Sequence, residues 1–202
     1  ARWKAGPMFR HPVFASRGGK PHYIWWQDYD SYLPAELEED PFRQMHQQGL
    51  VFGYTHWGKD SKATTKDFWE ATRLYMQEAG VGMSQSAFLR ETLANWNEKD
   101  GWDGKLIMND NEFMRVDWFR DGPYYEWFEY LDDLHGFWRH RWGDTIVRTF
   151  GVGMHLEDSR QQKLELPYAH QLFCLCGRGR PGRECARVDA PDRRAGWRWR
   201  CG

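Results

Sequence analysis

Short apolar stretches, separated by polar turns, carry two alternating periods along the chain. Tyr23-Ile24-Trp25-Trp26 is a compact apolar run and reads as a buried strand, as does Leu50-Val51-Phe52-Gly53-Tyr54. Between them, Asp40-Pro41-Phe42-Arg43-Gln44-Met45 begins a short helix, with Asp40 as N-cap and Pro41 at the first helical position. From Thr64 to Ala79 the residues Phe68, Thr72, Tyr75 and Met76 recur at helical spacing. Thr64 or Thr65 can cap that run and Gly80 stops it. A second helix is expected over about Ser84 to Asn97, with Phe88, Leu89, Leu93 and Trp96 on one stripe. Gly101 and Gly104 mark a loop before a strand at Lys105 to Met108. Asp121-Gly122-Pro123 opens a third helix whose core face is Tyr124, Trp127, Phe128, Leu131 and Leu134. Gly143-Asp144 opens a fourth, about Thr145 to Met154, with Asp144 read as its cap. Ala1 to Lys20 reads as loop. Alternating strands and helices predict an α/β layered domain with Trp25, Phe52, Phe128 and Val147 in its core.

Composition narrows the function classes. Across 202 residues, 28 basic and 29 acidic side chains leave a net charge of −1, which argues against a dedicated nucleic-acid binder. Mean hydropathy is −0.86 and apolar runs are short, so no membrane-spanning helix is expected in the sequence. No basic segment followed by an apolar one opens it as a signal peptide would. Thirteen Trp, 12 Phe and 9 Tyr suit either a Trp-rich core or surfaces that stack on sugar rings. Residues 177 to 202 carry eight Arg and three acids and read as an Arg/Gly/Pro-rich irregular tail, leaving 1 to 176 as the domain. The spacing of Cys174, Cys176, Cys185 and Cys201 matches no standard zinc pattern.

Three places could carry chemistry. Asp28 and Asp30 follow a strand two residues apart, where both carboxylates can turn toward one hard divalent cation; the same pattern occurs in ordinary surface turns. Glu112, in Asn109-Asp110-Asn111-Glu112, suits a nucleophile or a stabiliser of an oxocarbenium-like centre, or else an exposed turn. His170 offers an imidazole for a metal or is a solvated loop residue.

Seven short blocks, in order from Arg2 to His170, resemble the fungal Golgi α-1,2-mannosyltransferases, glycosyltransferase family 15. Arg2-Trp3-Lys4-Ala5-Gly6 with Phe9-Arg10-His11-Pro12 is similar to a block that begins R-W-N-S-G and ends H-P. Tyr23-Ile24-Trp25-Trp26-Gln27-Asp28-Tyr29-Asp30 resembles Y-Y-W-R-V-E-P-D, and Asp40-Pro41-Phe42-Arg43-Gln44-Met45 resembles D-P-F-R-x-M. Phe52-Gly53-Tyr54-Thr55 takes the place of Y-G-F-T, and Asn111-Glu112 to Arg120 parallels N-F-E-I-A-D-L-N-F-W-R. Phe137-Trp138 to Asp144 parallels F-F-Y-E-R-W-G-D, and Tyr168-Ala169-His170 parallels Y-Y-H-P-P.

The resemblance implies an incomplete GT-A-like fold, a mixed sheet flanked by helices, and a retaining transferase that uses GDP-mannose, Mn2+ and a mannose-containing glycan acceptor. It puts Asp28 and His170 on the metal and Glu112 at catalysis. Arg2, Trp25, Asp30 and Asn111 fall among substrate-binding positions. It implies a type II membrane protein of the Golgi lumen, with anchor and first nucleotide-binding portion ahead of the Arg2 block, and hence weak GDP-mannose binding by the present sequence. An inactive carbohydrate-binding relative is the alternative. Asp28-Tyr29 replaces Glu-Pro, shortening one metal ligand by a methylene, and Ala169 and Gln171 flank His170 without prolines. Asp28 and His170 are expected to meet.

Overall fold

The computed structural model describes residues 1–14, 22–61, 63–99, 101–170, 173–176, 185–189 and 197–201. Its strands are β1 (Tyr23–Gln27), β2 (Ser31–Tyr32), β3 (Phe52–Tyr54), β4 (Trp57–Lys59), β5 (Lys105–Ile107), β6 (Asn111–Arg115), β7 (Gln161–Lys163), β8 (Pro167–His170), β9 (Phe173–Cys176), β10 (Cys185–Asp189) and β11 (Trp197–Cys201). The helices are α1 (Arg2–Ala5), α2 (Pro41–Gln47), α3 (Phe68–Glu78), α4 (Ala87–Thr92), α5 (Val116–Arg120), α6 (Pro123–Asp133), α7 (Gly136–Arg139) and α8 (Asp144–His155).

A mixed four-stranded sheet in the order β1-β6-β3-β7 organises the domain; β6 lies antiparallel to both β1 and β3, and β7 runs parallel to β3. Strand alternation sends side chains to two apolar layers. Phe52, Met114, Val116, Phe88 and Val152 pack on one face, while Met45, Leu50, Phe113 and Leu164 close the other beneath α2. A third cluster joins α3, α6 and α8 through Phe68, Trp127, Leu131, Ile146 and Phe150. Beside the main sheet, β2-β8-β9 form a small antiparallel sheet.

The expected α/β layering is what the structure has, and Phe52, Phe128 and Val147 are buried as expected. Trp25 is only half-buried: it stacks on Phe113 with centroids 4.8 Å apart and keeps one side open. Leu134, expected on the core face, is exposed because α6 ends before it. The capping of α3 also differs. Its N-cap is Asp67, in the left-handed region at φ 59°, while the Thr64 hydroxyl is used on Asp60 and the Ser61 carbonyl. The helix expected from Ser84 to Asn97 shrinks to α4, capped by the Ser86 hydroxyl on the Leu89 N–H.

Two stretches expected to lack order have structure. The N-terminal segment holds α1 and two 3-10 turns (Pro7–Arg10 and Pro12–Phe14), because Ala5, Met8 and Phe9 are buried against the body. Gly6 allows the approach, since a Cβ there would lie 2.3 Å from the Phe128 ring. In the stretch expected to be irregular, β10 and β11 pair antiparallel; Trp197-Arg198-Trp199-Arg200 alternates with the strand period. The remainder of residues 177 to 202 lies outside the described residues.

Candidate active site and metal centre

The end of β1 and the small sheet build the site together. Asp28 leaves β1 with its N–H on the Asp110 carbonyl at 3.0 Å, and its own carbonyl takes the Ser31 N–H at 2.9 Å. That tight turn puts Asp28 and Asp30 side by side and delivers the chain into β2. Ser31 pairs with His170 across β2 and β8. Donor atoms of Asp28, Asp30 and His170 consequently lie within 4.8 Å of one another. The Asp28 and His170 positions, 142 apart in sequence, thus meet as expected.

Second contacts orient these groups. His170 Nε2 faces Asp30 Oδ1 at 3.0 Å, and its Nδ1 faces Asp110 Oδ2 at 3.4 Å. A carboxylate on one ring nitrogen leaves the other for a metal, the arrangement commonly found behind metal-binding histidines. Asp110 is almost enclosed, and Tyr168, whose buried hydroxyl is held far above the ordinary tyrosine range, donates to the Asp110 carbonyl at 3.1 Å. His56 Nε2 stands 3.9 Å from the other Asp110 oxygen. Burial pushes its pKa down, against the pull of Asp110. Asp28 Oδ1 accepts from the Trp26 indole at 2.9 Å and from Lys4 Nζ at 3.1 Å. Two carboxylates and one imidazole form an oxygen-rich set with room for further oxygens, which fits Mn2+.

Glu112 lies elsewhere. It sits on the central strand β6, opposite Trp26, fully buried with its carboxylate 2.8 Å from Arg148 Nε. Arg148, also fully buried, reaches Asp144 at 3.0 Å and the Lys4 carbonyl at 2.9 Å. Burial pushes Glu112 up to about 7, with Asp144 adding to the shift and Arg148 opposing it. Asp144 is not the N-cap of α8: Gly143 is, and the Asp144 carboxylate turns inward to Arg148 and the Asn109 amide. Two carboxylates on one buried guanidinium outweigh a cap.

The remaining positions divide between structure and site. Asn111 is buried and accepts the Trp25 indole N–H at 2.5 Å, while its Nδ2 has no partner among the described residues. Trp25, Leu37, Pro41 and Phe42 wall a groove of about 390 Å3 rimmed by Glu38, Glu39 and Asp40. Arg2 is spent on Asp132, with two 2.6 Å hydrogen bonds that tie α1 to α6. Sequence reasoning missed Lys4, His56, Asp110 and Arg148. Only Arg148 left a readable trace, as a lone cation inside an apolar helix face and four residues after Asp144.

The model of the glycolipid 2-alpha-mannosyltransferase family matches residues 1–196. The chain belongs to this family. Among curated family members it is similar to the mannosyltransferase KTR6 of Saccharomyces cerevisiae, with 25% identity over 77% of this chain and 34% of that protein. It is likewise similar to the O-glycoside alpha-1,2-mannosyltransferase homolog 2 of Schizosaccharomyces pombe, with 24% identity over 88% and 46%. The chain thus spans about a third to a half of the length of such mannosyltransferases. Core-mannan synthase A of Aspergillus fumigatus, solved in an Mn/GDP form, superposes with a TM-score of 0.71 at 22% identity, covering 90% of this chain and 51% of that one. Ktr4p of S. cerevisiae, solved with GDP, gives 0.72 at 20% identity, covering 87% and 45%. The mixed α/β domain of this family member is therefore the GT-A-like fold of solved mannosyltransferases.

Proposed function

We propose that this chain carries the metal and acceptor side of an α-1,2-mannosyltransferase. The reaction moves mannose from GDP-mannose to a mannose-terminated glycan with retention of configuration. The observation that carries this reading is the convergence of Asp28, Asp30 and His170 within 4.8 Å at the end of β1. Those three side chains would hold Mn2+, which as a Lewis acid offsets negative charge on the departing GDP. Names and bound species of the relatives support the same donor and metal: one solved homologue holds Mn and GDP.

The chain's own groups divide the remaining work. Trp25 offers an aromatic face, and the adjoining acids offer acceptors for sugar hydroxyls, so the Trp25–Phe42 groove suits the acceptor glycan. Asn111 is fully buried and acts on that groove only through Trp25, whose indole N–H it accepts. Glu112 is enclosed with Arg148, and a nucleophile must reach the anomeric carbon. We therefore assign Glu112 the stabilising role, acting from its buried pair with Arg148 on charge that develops at the sugar.

A Golgi-luminal, membrane-anchored setting fits a disulfide-bonded Cys174, since oxidising compartments maintain such bonds. Among the described residues no helix is long and apolar enough to cross a membrane. Immunolocalisation of the complete protein with a Golgi marker tests the setting.

The activity test incubates the protein with GDP-mannose, Mn2+ and methyl α-mannoside, and reads product linkage by NMR. An α-1,2-linked disaccharide that disappears in Asp28→Asn is expected. Transfer that survives Asp28→Asn unchanged would contradict the assignment.

A further inference from the structure

Lys4 is fixed with unusual care for a residue in the third position of a four-residue helix. Its carbonyl accepts from Arg148 Nη1 at 2.9 Å, and the next carbonyl, that of Ala5, accepts from the buried Tyr124 hydroxyl at 2.7 Å. The side chain then runs over the Trp26 ring, with Nζ 4.0 Å from its centroid, and ends 3.1 Å from Asp28 Oδ1. That same oxygen accepts from the Trp26 indole, so Lys4, Trp26 and Asp28 make a closed triangle. Asp28 is also one corner of the three-residue cluster that could hold a metal ion. An ammonium therefore stands directly on a metal-ligating carboxylate. The R-W-N-S-G block that this segment resembles has an uncharged asparagine at the position of Lys4.

We propose that Lys4 is a built-in competing cation at the Asp28–Asp30–His170 centre: it weakens divalent metal binding by itself and attracts the donor's diphosphate to the same place. The proposal rests on the reading of that cluster as the metal centre. Two cations on one carboxylate repel, so the ammonium opposes the ion's arrival. A diphosphate brings oxygens and negative charge that both cations can contact, so it relieves the repulsion. Metal and donor then bind cooperatively, and the free metal binds poorly. Lys suits this role because its ammonium is a compact point charge on a flexible stem that can pivot from Asp28 to a phosphate. Both side chains are partly exposed, 21% for Lys4 and 30% for Asp28, so water screens the effect to roughly tenfold in affinity.

The two binding events shift in opposite directions, which separates this role from a structural one. Mn2+ affinity is read by electron paramagnetic resonance without nucleotide, and inorganic pyrophosphate affinity by calorimetry without metal. Lys4→Met is expected to tighten Mn2+ about tenfold and to weaken pyrophosphate about tenfold, and Lys4→Arg to stay close to the parent in both. Weakening of both ligands in Lys4→Met would mean that Lys4 only supports the local fold, and no change in either would mean that it does nothing there. Both results overturn the proposal. Mn2+ binding lost in Asp28→Asn but unmoved in Lys4→Met would overturn the Lys4 role and leave the metal centre standing. No Mn2+ bound by the parent or by Lys4→Met would overturn both.

Discussion

Glu112 on β6 and Arg148 on α8 meet at 2.8 Å with neither side chain exposed, and this buried pair joins the central strand to the longest helix of the domain. Arg148 also holds Asp144 and the Lys4 carbonyl, so one guanidinium ties sheet, helix and N-terminal segment together. Removing it strands two buried carboxylates. Arg148→Met should cost about 3–5 kcal/mol in chemical denaturation, and adding Glu112→Gln should recover part of that loss. Strictly additive losses would show that the two groups do not interact.

The pH dependence of stability should have two components of opposite sign. Glu112 has a folded pKa pushed up to about 7 by burial, so between roughly pH 4.5 and 7 the folded state holds a proton that the unfolded chain has released. Its contribution to stability therefore falls as pH rises through that window. His155, pushed down to about 4 by burial beneath Tyr75, stays neutral in the fold while the unfolded chain takes up a proton below about pH 6.5. Its contribution is lost as pH falls from about 6.5 toward 4, by an amount on the order of 1–3 kcal/mol. Denaturation curves across pH 4–7.5 should lose the acid-side decline in His155→Phe and the neutral-side decline in Glu112→Gln. Unchanged slopes in both variants would contradict these shifts.

Asp110 should matter to metal affinity without touching the metal. Its carboxylate backs the His170 ring at 3.4 Å. Asp110→Asn keeps the shape and removes the charge. Mn2+ affinity should fall about 10–100-fold while the thermal midpoint moves little. A large drop in the midpoint with affinity intact would make Asp110 a fold residue only.

Elements with a clean period were legible in the sequence, and elements built by long-range pairing were not. The α2 start at Asp40-Pro41 and the α6 start at Pro123 follow from local capping chemistry alone. The strand β6 escaped notice because Asn111-Glu112 looks like a polar turn; within the sheet, Glu112 is paired in charge by Arg148 and Asn111 Oδ1 accepts from Trp25, both from distant parts of the chain. The same holds for the site. Asp28 and His170 could be named from short motifs, whereas Asp110, His56 and Lys4 act through positions fixed by tertiary packing. Arg2 shows the converse: a motif residue whose guanidinium is taken up by Asp132.

Gly6 is a packing constraint. Its φ of −146° suits any residue, yet an added Cβ would meet the Phe128 ring at 2.3 Å, and Phe128 is itself enclosed. Gly6→Ala should destabilise by about 1–3 kcal/mol. A second change, Phe128→Leu, should be less costly in that background than in the parent. Equal cost in both backgrounds would contradict the contact.

The most direct test of the account is a Mn2+ titration of the protein and of Asp28→Asn, Asp30→Asn and His170→Gln, followed by electron paramagnetic resonance. The three donor atoms lie within 4.8 Å of one another, so one ion should bind to the parent and each substitution should weaken it at least about tenfold while circular dichroism stays unchanged. One Mn2+ bound with equal affinity by all four proteins would place the ion elsewhere and contradict the assignment of this centre.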